Sequence, residues 1–422
     1  MPTNHLREST DSGRRPRVLL LSPYFHPVLG GAEAAAMGVA RYLHTHGYPV
    51  FVVTKRIGRD HPVRDAVEGV PVRRIPPVGR RSGYAKWVML PSLLAALLRW
   101  RREYDVVCCV DFRGVAIAAI VARWLTRRPV AVQAQTTGVV SCGSWDPALR
   151  RFGLSPEGVL ARAVKWPVRA FYIRADGHAC LMKSIERESL DAGVPAGRIH
   201  YVPQGVNMEK FRPAAAGEAA VLRAALGWPA DRLICLSLAR LSLEKGALDL
   251  LDAWNQLRPP NATLVLAGPD MENHPWNVGP QAREFVRQHD LGSSVVFHGP
   301  TSEAPRLLRA ADVFVLPSHF EALSVAAIEA AATALPIVAT AVGGIGDYTQ
   351  DGVNGLLVPP RDSARMADAL GRLLADAALR ARLGACARAS VEERFSEDVV
   401  FGRLAGILTS LAAPACAPTD RR

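Results

Sequence analysis

Glu321 and Glu329 stand eight positions apart around Ala322, Leu323, Ser324 and the helix-forming run 325–332. That spacing offers one carboxylate from a loop and another about two turns into the following helix, so one hydroxyl-bearing ligand can touch both. A polyol suits such a pair. A helix N-terminus with small residues in front of it also suits phosphate, because unpaired backbone N–H groups and the positive dipole end face the ligand. Sugar and phosphate together describe a nucleotide sugar. Bare spacing fits the solvated face of an amphipathic helix equally well, so the assignment leans on other segments.

One of these is Ser237-Leu-Ala-Arg-Leu-Ser-Leu-Glu-Lys-Gly246, which puts Arg240 and Lys245 just after an apolar strand-like run. Doubly wound sheets bind ligands at that edge. Arg offers a planar fork to phosphate oxygens and Lys a compact charge, a pair that suits a diphosphate. Gly343 and Gly344 admit a close backbone approach to a ligand. Gly30 and Gly31 open a helix and either cradle phosphate or leave room for an acceptor. Asp351-Gly352 and Asn354-Gly355 read as tight turns. A G-x-G-x-x-G fingerprint after the first strand is missing, which argues against a nicotinamide-dependent enzyme. His26, His44 and His46 lack metal-ligand spacing and read as surface residues.

The glutamate-x7-glutamate pair, with Arg240, Lys245-Gly246, Val342 to Asp347 and Asp351 to Pro359, resembles the signature of family 4 glycosyltransferases. The resemblance runs from Gly30-Gly31 to Arg394-Phe395-Ser396 and is most specific in the second half, where four motifs keep the family's order. It implies the GT-B fold, two Rossmann-like doubly wound α/β domains facing a cleft. It also implies a retaining transferase that moves a sugar from a nucleotide-sugar donor to a glycan, lipid-linked or small-molecule acceptor. Arg240, Lys245 and Glu321 then take the catalytic roles, and Glu329, Ala322, Leu323, Ser324, Gly343 and Gly344 contact the donor. Gly30, Gly31 and Gln135 fall on the acceptor side.

Three positions depart from the pattern. Gln135 follows the strand 129–134 where the family has a His that contacts the donor sugar, Gly346 replaces a Pro, and Gln204 and Asn207 replace two polar linker positions. Gln cannot titrate but can hydrogen-bond a hydroxyl or phosphate. Gln135 and Gly346 keep an alternative open, a non-catalytic GT-B partner subunit or nucleotide-sugar-binding protein. No Asp-x-Asp occurs, so no metal or other cofactor is expected, and Arg240, Lys245 and helix dipoles replace the ion.

The elements that must position these residues are legible as apolar runs. Strands at 17–22, 49–54, 105–111 and 129–134, with helices from Gly30 and over 114–126, predict a doubly wound parallel sheet; strands at 233–239, 262–267, 295–298, 313–317 and 336–340 predict a second. The turn-rich segment 200–213 reads as the linker. The expected domains are a disordered basic arm 1–16, a first domain 17–203 completed by a crossing helix 396–411, a second domain 204–395, and a loose tail 412–422.

With 422 residues, 49% of them hydrophobic, the chain can bury two cores. The first 205 residues hold 30 Lys/Arg against 15 Asp/Glu and the rest 21 against 24, so the net charge of +12 sits in the first half. Nucleic acid is a poor partner for it, since zinc fingers, RNA-recognition signatures and interleaved aromatics are missing. An anionic membrane surface or acidic acceptor fits better, with Arg73, Arg74, Arg80, Arg81, Lys86, Arg99, Arg101 and Arg102 expected around the apolar stretch 87–98. That stretch is broken by Pro91 and falls short of the ~20 residues a spanning helix needs. The polar, basic start argues against a cleaved signal, so a cytoplasmic enzyme, peripheral on the inner membrane face, is expected. Seven cysteines form no C-x-x-C and read as free thiols.

Overall fold

A computed structural model describes residues 14–28, 31–79, 88–110, 115–134, 137–138, 146–151, 153–155 and 158–413. Two sheets carry the chain. The first holds β1 Val18–Leu21, β2 Val50–Lys55, β3 Arg64–Val67, β4 Val70–Ile75, β5 Val106–Val110, β6 Val130–Ala134, β7 Gly177–Cys180 and β8 Ile199–Tyr201, in the order β3-β4-β2-β1-β5-β6-β7-β8. The second holds β9 Leu233–Leu238, β10 Ala262–Ala267, β11 Val295–Gly299, β12 Val313–Leu316, β13 Ile337–Thr340 and β14 Leu356–Val358, in the order β11-β10-β9-β12-β13-β14.

β1, β2, β5, β6, β10, β12 and β13 are buried at every position. Helices cover both faces of a parallel sheet, which is why these strands read as continuous apolar runs rather than alternating ones. The antiparallel pair β3/β4 was not visible in the sequence, because β3, Arg-Asp-Ala-Val, is mostly exposed at the sheet edge. Its turn is set by Glu68 and Gly69, both at positive φ. β14 lies in the segment 351–359 that carries the family resemblance and was not among the expected strands; it pairs parallel with β13.

The chain groups into two compact units. One runs to Gln133, takes Ala170–His178 and resumes at Leu404; the other comprises Ala134–Arg169 and Ala179–Arg403. This grouping differs from the expected boundaries at 203 and 396. Within the second unit, Asp347 accepts a hydrogen bond from the Lys183 N–H at 3.0 Å, Arg403 donates to the Tyr201 carbonyl at 2.9 Å, and Val206 bridges Ser396. Asn207 is structural as well: it donates to Glu397 at 3.0 Å and accepts from the Lys210 N–H at 2.8 Å.

Three aspartates stand immediately before strands and join neighbouring strands at the N-terminal edge of the two sheets. Asp105, before β5, accepts from the Arg17 N–H at the start of β1 at 3.0 Å; Asp176, before β7, accepts from Val130 of β6 at 3.0 Å. Asp312, before β12, accepts from Ile234 of β9 at 2.7 Å. Each also pairs with an arginine, Arg17, Arg123 and Arg223 respectively. An N–H at a strand's entry can lack a ladder partner, and a charge-assisted bond satisfies it.

The hydrogen bond from Arg17 holds the Asp105 carboxyl down from 3.8 to about 2. Because the folded value is depressed, the stabilisation is complete above 3.8 and is lost as pH falls through about 2. Asp105→Ala should therefore cost about 1–3 kcal/mol at neutral pH, with the gap between variant and parent melting curves closing between these two values. A gap indifferent to pH would show that the charge contributes nothing.

Candidate functional site

In the second sheet the strand order reverses between β9 and β12, so the loops leaving their C-terminal ends diverge and open a crevice. Arg240 and Lys245 come from the loop after β9, the latter from the 3-10 turn Leu243–Lys245. Ser318, His319, Phe320 and Glu321 come from the loop after β12. Of the three residues expected to act together, Lys245 meets Glu321, while Arg240, on the same loop as Lys245, pairs with Glu244.

The carboxylate of Glu321 is 7% exposed and its two oxygens differ. Oε1 accepts from Lys245 Nζ at 2.7 Å and from Ser318 Oγ at 2.8 Å. Oε2 takes no hydrogen bond among the described residues. Ser318 is fully buried and was missed in the sequence, where a lone serine carries no signal. Lys245 keeps two further donors after its bond to Glu321. Arg240 is half exposed and pairs with Glu244 at 2.5 Å.

A second unforeseen contact anchors the same loop. His319 Nε2 meets Asp249 Oδ2 of the helix Ala247–Leu257, and the His319 N–H donates to the Glu244 carbonyl at 2.8 Å. The residue that bonds Arg240 through its side chain thus holds His319 through its backbone.

Glycines bring the loops into backbone contact. At Gly246, φ +67°, an added Cβ would lie 1.9 Å from the Pro317 carbonyl oxygen; at Gly343, φ +55°, it would lie 1.7 Å from that of Glu321. The Gly344 N–H donates to the Ala322 carbonyl at 2.8 Å. The close approach expected of Gly343 and Gly344 is therefore made to the Glu321–Ala322 backbone. Gly346 meets nothing within 4 Å.

Glu329 lies on the helix Val325–Ala332, a little over one turn past its start rather than two. Burial pushes its carboxyl from 4.5 up to about 7, against the opposing pull of Lys210. No side-chain bond caps this helix at Ser324, which is buried along with Leu323, while Ala322 is half-buried. Its leading N–H groups and dipole face the same strand edge.

Gly30 and Gln135 lie outside the described residues, and Gly31 begins the helix Gly31–Thr45. Arg80, Arg81 and Lys86 also lie outside them. Two of the expected surface cations are engaged internally. Arg73 stacks on Phe51 and Trp100 and pairs with Glu103, and Arg74 is 4% exposed and bonded to Asp65. Aromatic faces and a carboxylate hold these cations against the fold instead of presenting them to a partner. Arg99, Arg101 and Arg102 are exposed. Cys108, Cys109, Cys180 and Cys235 are buried and not in disulfides. Among the described residues no helix is long and apolar enough to cross a membrane.

Residues 30–205 match the family "Glycosyl transferase 4-like domain" and residues 219–390 "Glycosyl transferases group 1". A D-inositol 3-phosphate glycosyltransferase of Acidothermus cellulolyticus is 30% identical over 93% of this chain and 88% of its own. The chain belongs to the family 4 glycosyltransferases. Another D-inositol 3-phosphate glycosyltransferase, from Xylanimonas cellulosilytica, is 40% identical, but over 49% of this chain and 50% of its own. Two solved structures share the GT-B fold of this glycosyltransferase. HepE of Anabaena in complex with UDP has a TM-score of 0.74 at 21% identity, covering 93% of this chain and 100% of its own. The sucrose-phosphate synthase of Thermosynechococcus elongatus has 0.74 at 24%, covering 94% and 99%.

The glycine geometry gives a paired expectation. Gly343→Ala should lower stability by about 2 kcal/mol or more, since both φ and the Glu321 carbonyl oppose a Cβ. Gly346→Ala should stay within about 0.5 kcal/mol. Equal denaturant midpoints for the two variants would contradict the backbone contact.

Proposed function

We propose that the second unit of this glycosyltransferase binds a nucleotide-sugar donor at the β9/β12 crevice and transfers its sugar with retention of anomeric configuration and without a metal. The observation that carries this reading is Glu321 with Oε1 occupied by Lys245 and Ser318 and Oε2 left over. A fixed carboxylate with one open acceptor suits a sugar hydroxyl. The remaining donors of Lys245 and the guanidinium of Arg240 suit the diphosphate beside it.

As the glycosidic bond breaks, negative charge grows on the leaving diphosphate, and these two cations stabilise it more in the transition state than in the bound ground state. They take the place a metal ion would hold. Glu329 accepts hydrogen bonds from the ribose hydroxyls, and Gly343 and Gly344 shape the site by holding the Glu321 loop. Retention rests on membership of the family. The UDP bound by HepE and the inositol phosphate in the relatives' name are consistent with a nucleotide donor and an anionic acceptor. The basic first half supports the acceptor's charge.

Glu329→Ala should weaken donor binding at least tenfold, because a hydrogen bond to a charged group is worth roughly 1.5–3 kcal/mol. Since the ionised form is the acceptor and burial raises the carboxyl to about 7, donor affinity should fall as pH drops below that value. The raised value means that ionisation opposes folding above it, so Glu329→Gln should raise the melting temperature at pH 8 but not at pH 4. Calorimetry showing unchanged, pH-independent donor affinity would remove Glu329 from the site.

Turnover of a panel of nucleotide sugars tests the reaction itself. An α-linked donor should give an α-linked product with activity indifferent to chelator, and Arg240→Ala or Lys245→Ala should lower kcat about 10²-fold. Nucleotide bound without any release would leave a binding subunit. A β-linked product, or activity restored by manganese after chelation, would overturn retention or metal independence.

A further inference from the structure

The helix Val159–Tyr172 carries an apolar face that the fold leaves in solvent. Val159 is 85% exposed, Trp166 67%, Leu160 59% and Val164 43%. At about 100° per residue these four side chains fall within one arc of about 160°, together with Ala163 and Pro167, which are also exposed. Ala161 and Tyr172 are buried and lie on the opposite side, where the helix meets the core. Between the two sides, along a strip of about 60°, run Arg162, Lys165 and Arg169. The helix is therefore divided three ways: a buried edge, a cationic flank and an apolar outer face.

From Gly158 to Ala175 the chain has four basic residues and no acidic one. Lys165 pairs with Asp146 at 2.6 Å and Arg169 donates to the Ala192 carbonyl, so both are held in place. Arg162 is exposed and makes no ion pair among the described residues. A solvent-facing helix in a water-soluble surface does not ordinarily place Val, Leu, Val and Trp outward together, and a patch of this kind marks an interaction site. Protein interfaces exclude charge from their apolar centres, whereas apolar side chains bordered by Lys and Arg, with Trp at the boundary, match the layered polarity of a lipid headgroup region.

We propose that this helix lies on an anionic membrane surface, with Leu160, Val164 and Trp166 entering the headgroup boundary and Arg162 meeting lipid phosphates. This is a different surface from the one around residues 73–102 that charge counting alone singled out. It does not depend on which donor or acceptor the enzyme uses.

Co-sedimentation of the full chain with vesicles of phosphatidylcholine containing or lacking phosphatidylglycerol tests it. Binding should require the anionic lipid and weaken with salt. The variant Leu160→Ser with Trp166→Ser should bind at least about tenfold more weakly with an unchanged melting temperature, since both side chains are exposed. Arg162→Ala should weaken binding to anionic vesicles alone. No binding to anionic vesicles would overturn the proposal, and so would full binding by the double variant, which would move the contact to Arg99, Arg101 and Arg102. Concentration-dependent dimerisation abolished by the double variant, with no vesicle binding in the parent, would identify a second copy as the occupant.

Discussion

The crevice of the second unit depends on one shared oxygen. Oε1 of Glu321 joins the loop after β12 to the loop after β9 through Lys245, and it is reinforced from beneath by Ser318. At this degree of burial neither charge is well solvated, so each needs the other. Removing one partner of such a pair leaves an uncompensated charge costing about 3–5 kcal/mol, well above a surface ion pair. The two loops are consequently held at one separation before any ligand arrives. The Glu244 backbone, which receives His319 while its side chain holds Arg240, extends the same tie to the next cation.

At the opposite strand edge the same problem is solved three times. Asp105, Asp176 and Asp312 each accept a hydrogen bond from an N–H at the entry of a neighbouring strand and recruit an arginine to neutralise the carboxylate. Two of these occur in the first sheet and one in the second. Parallel sheets have no hairpins to fix neighbouring strands at their ends, and a polar clasp at the strand's entry supplies register without intruding on the ligand-binding edge.

Much of this was legible in the amino-acid order. Fully buried strands announce themselves as apolar runs, and nine of those expected are present within a residue or two at each end. Arg240 and Lys245 were expected at the strand edge where doubly wound sheets bind ligands, and Glu321 joined them through the family resemblance; of these, Lys245 and Glu321 meet. β3 was illegible because an exposed edge strand has no hydrophobic pattern to show. Ser318 and the His319–Asp249 pair were illegible for another reason: their significance lies in a partner 3 to 70 positions away, and a single serine or histidine carries no periodicity. Arg73 and Arg74 show the converse error. Counting charge along a chain cannot tell a cation stacked on Trp100 from one in water.

The contacts of Gly246 with Pro317 and of Gly343 and Gly344 with Glu321 and Ala322 are made by backbone atoms, which every residue possesses. A frame built in those atoms is blind to the side chains hung on it. Phe320, 58% exposed between His319 and Glu321, and Gly346, where an added Cβ meets open space, can be exchanged without disturbing these backbone contacts. Such a frame separates inheritance from invention: the geometry that holds Glu321 can pass unchanged through a lineage while neighbouring positions drift toward new sugars.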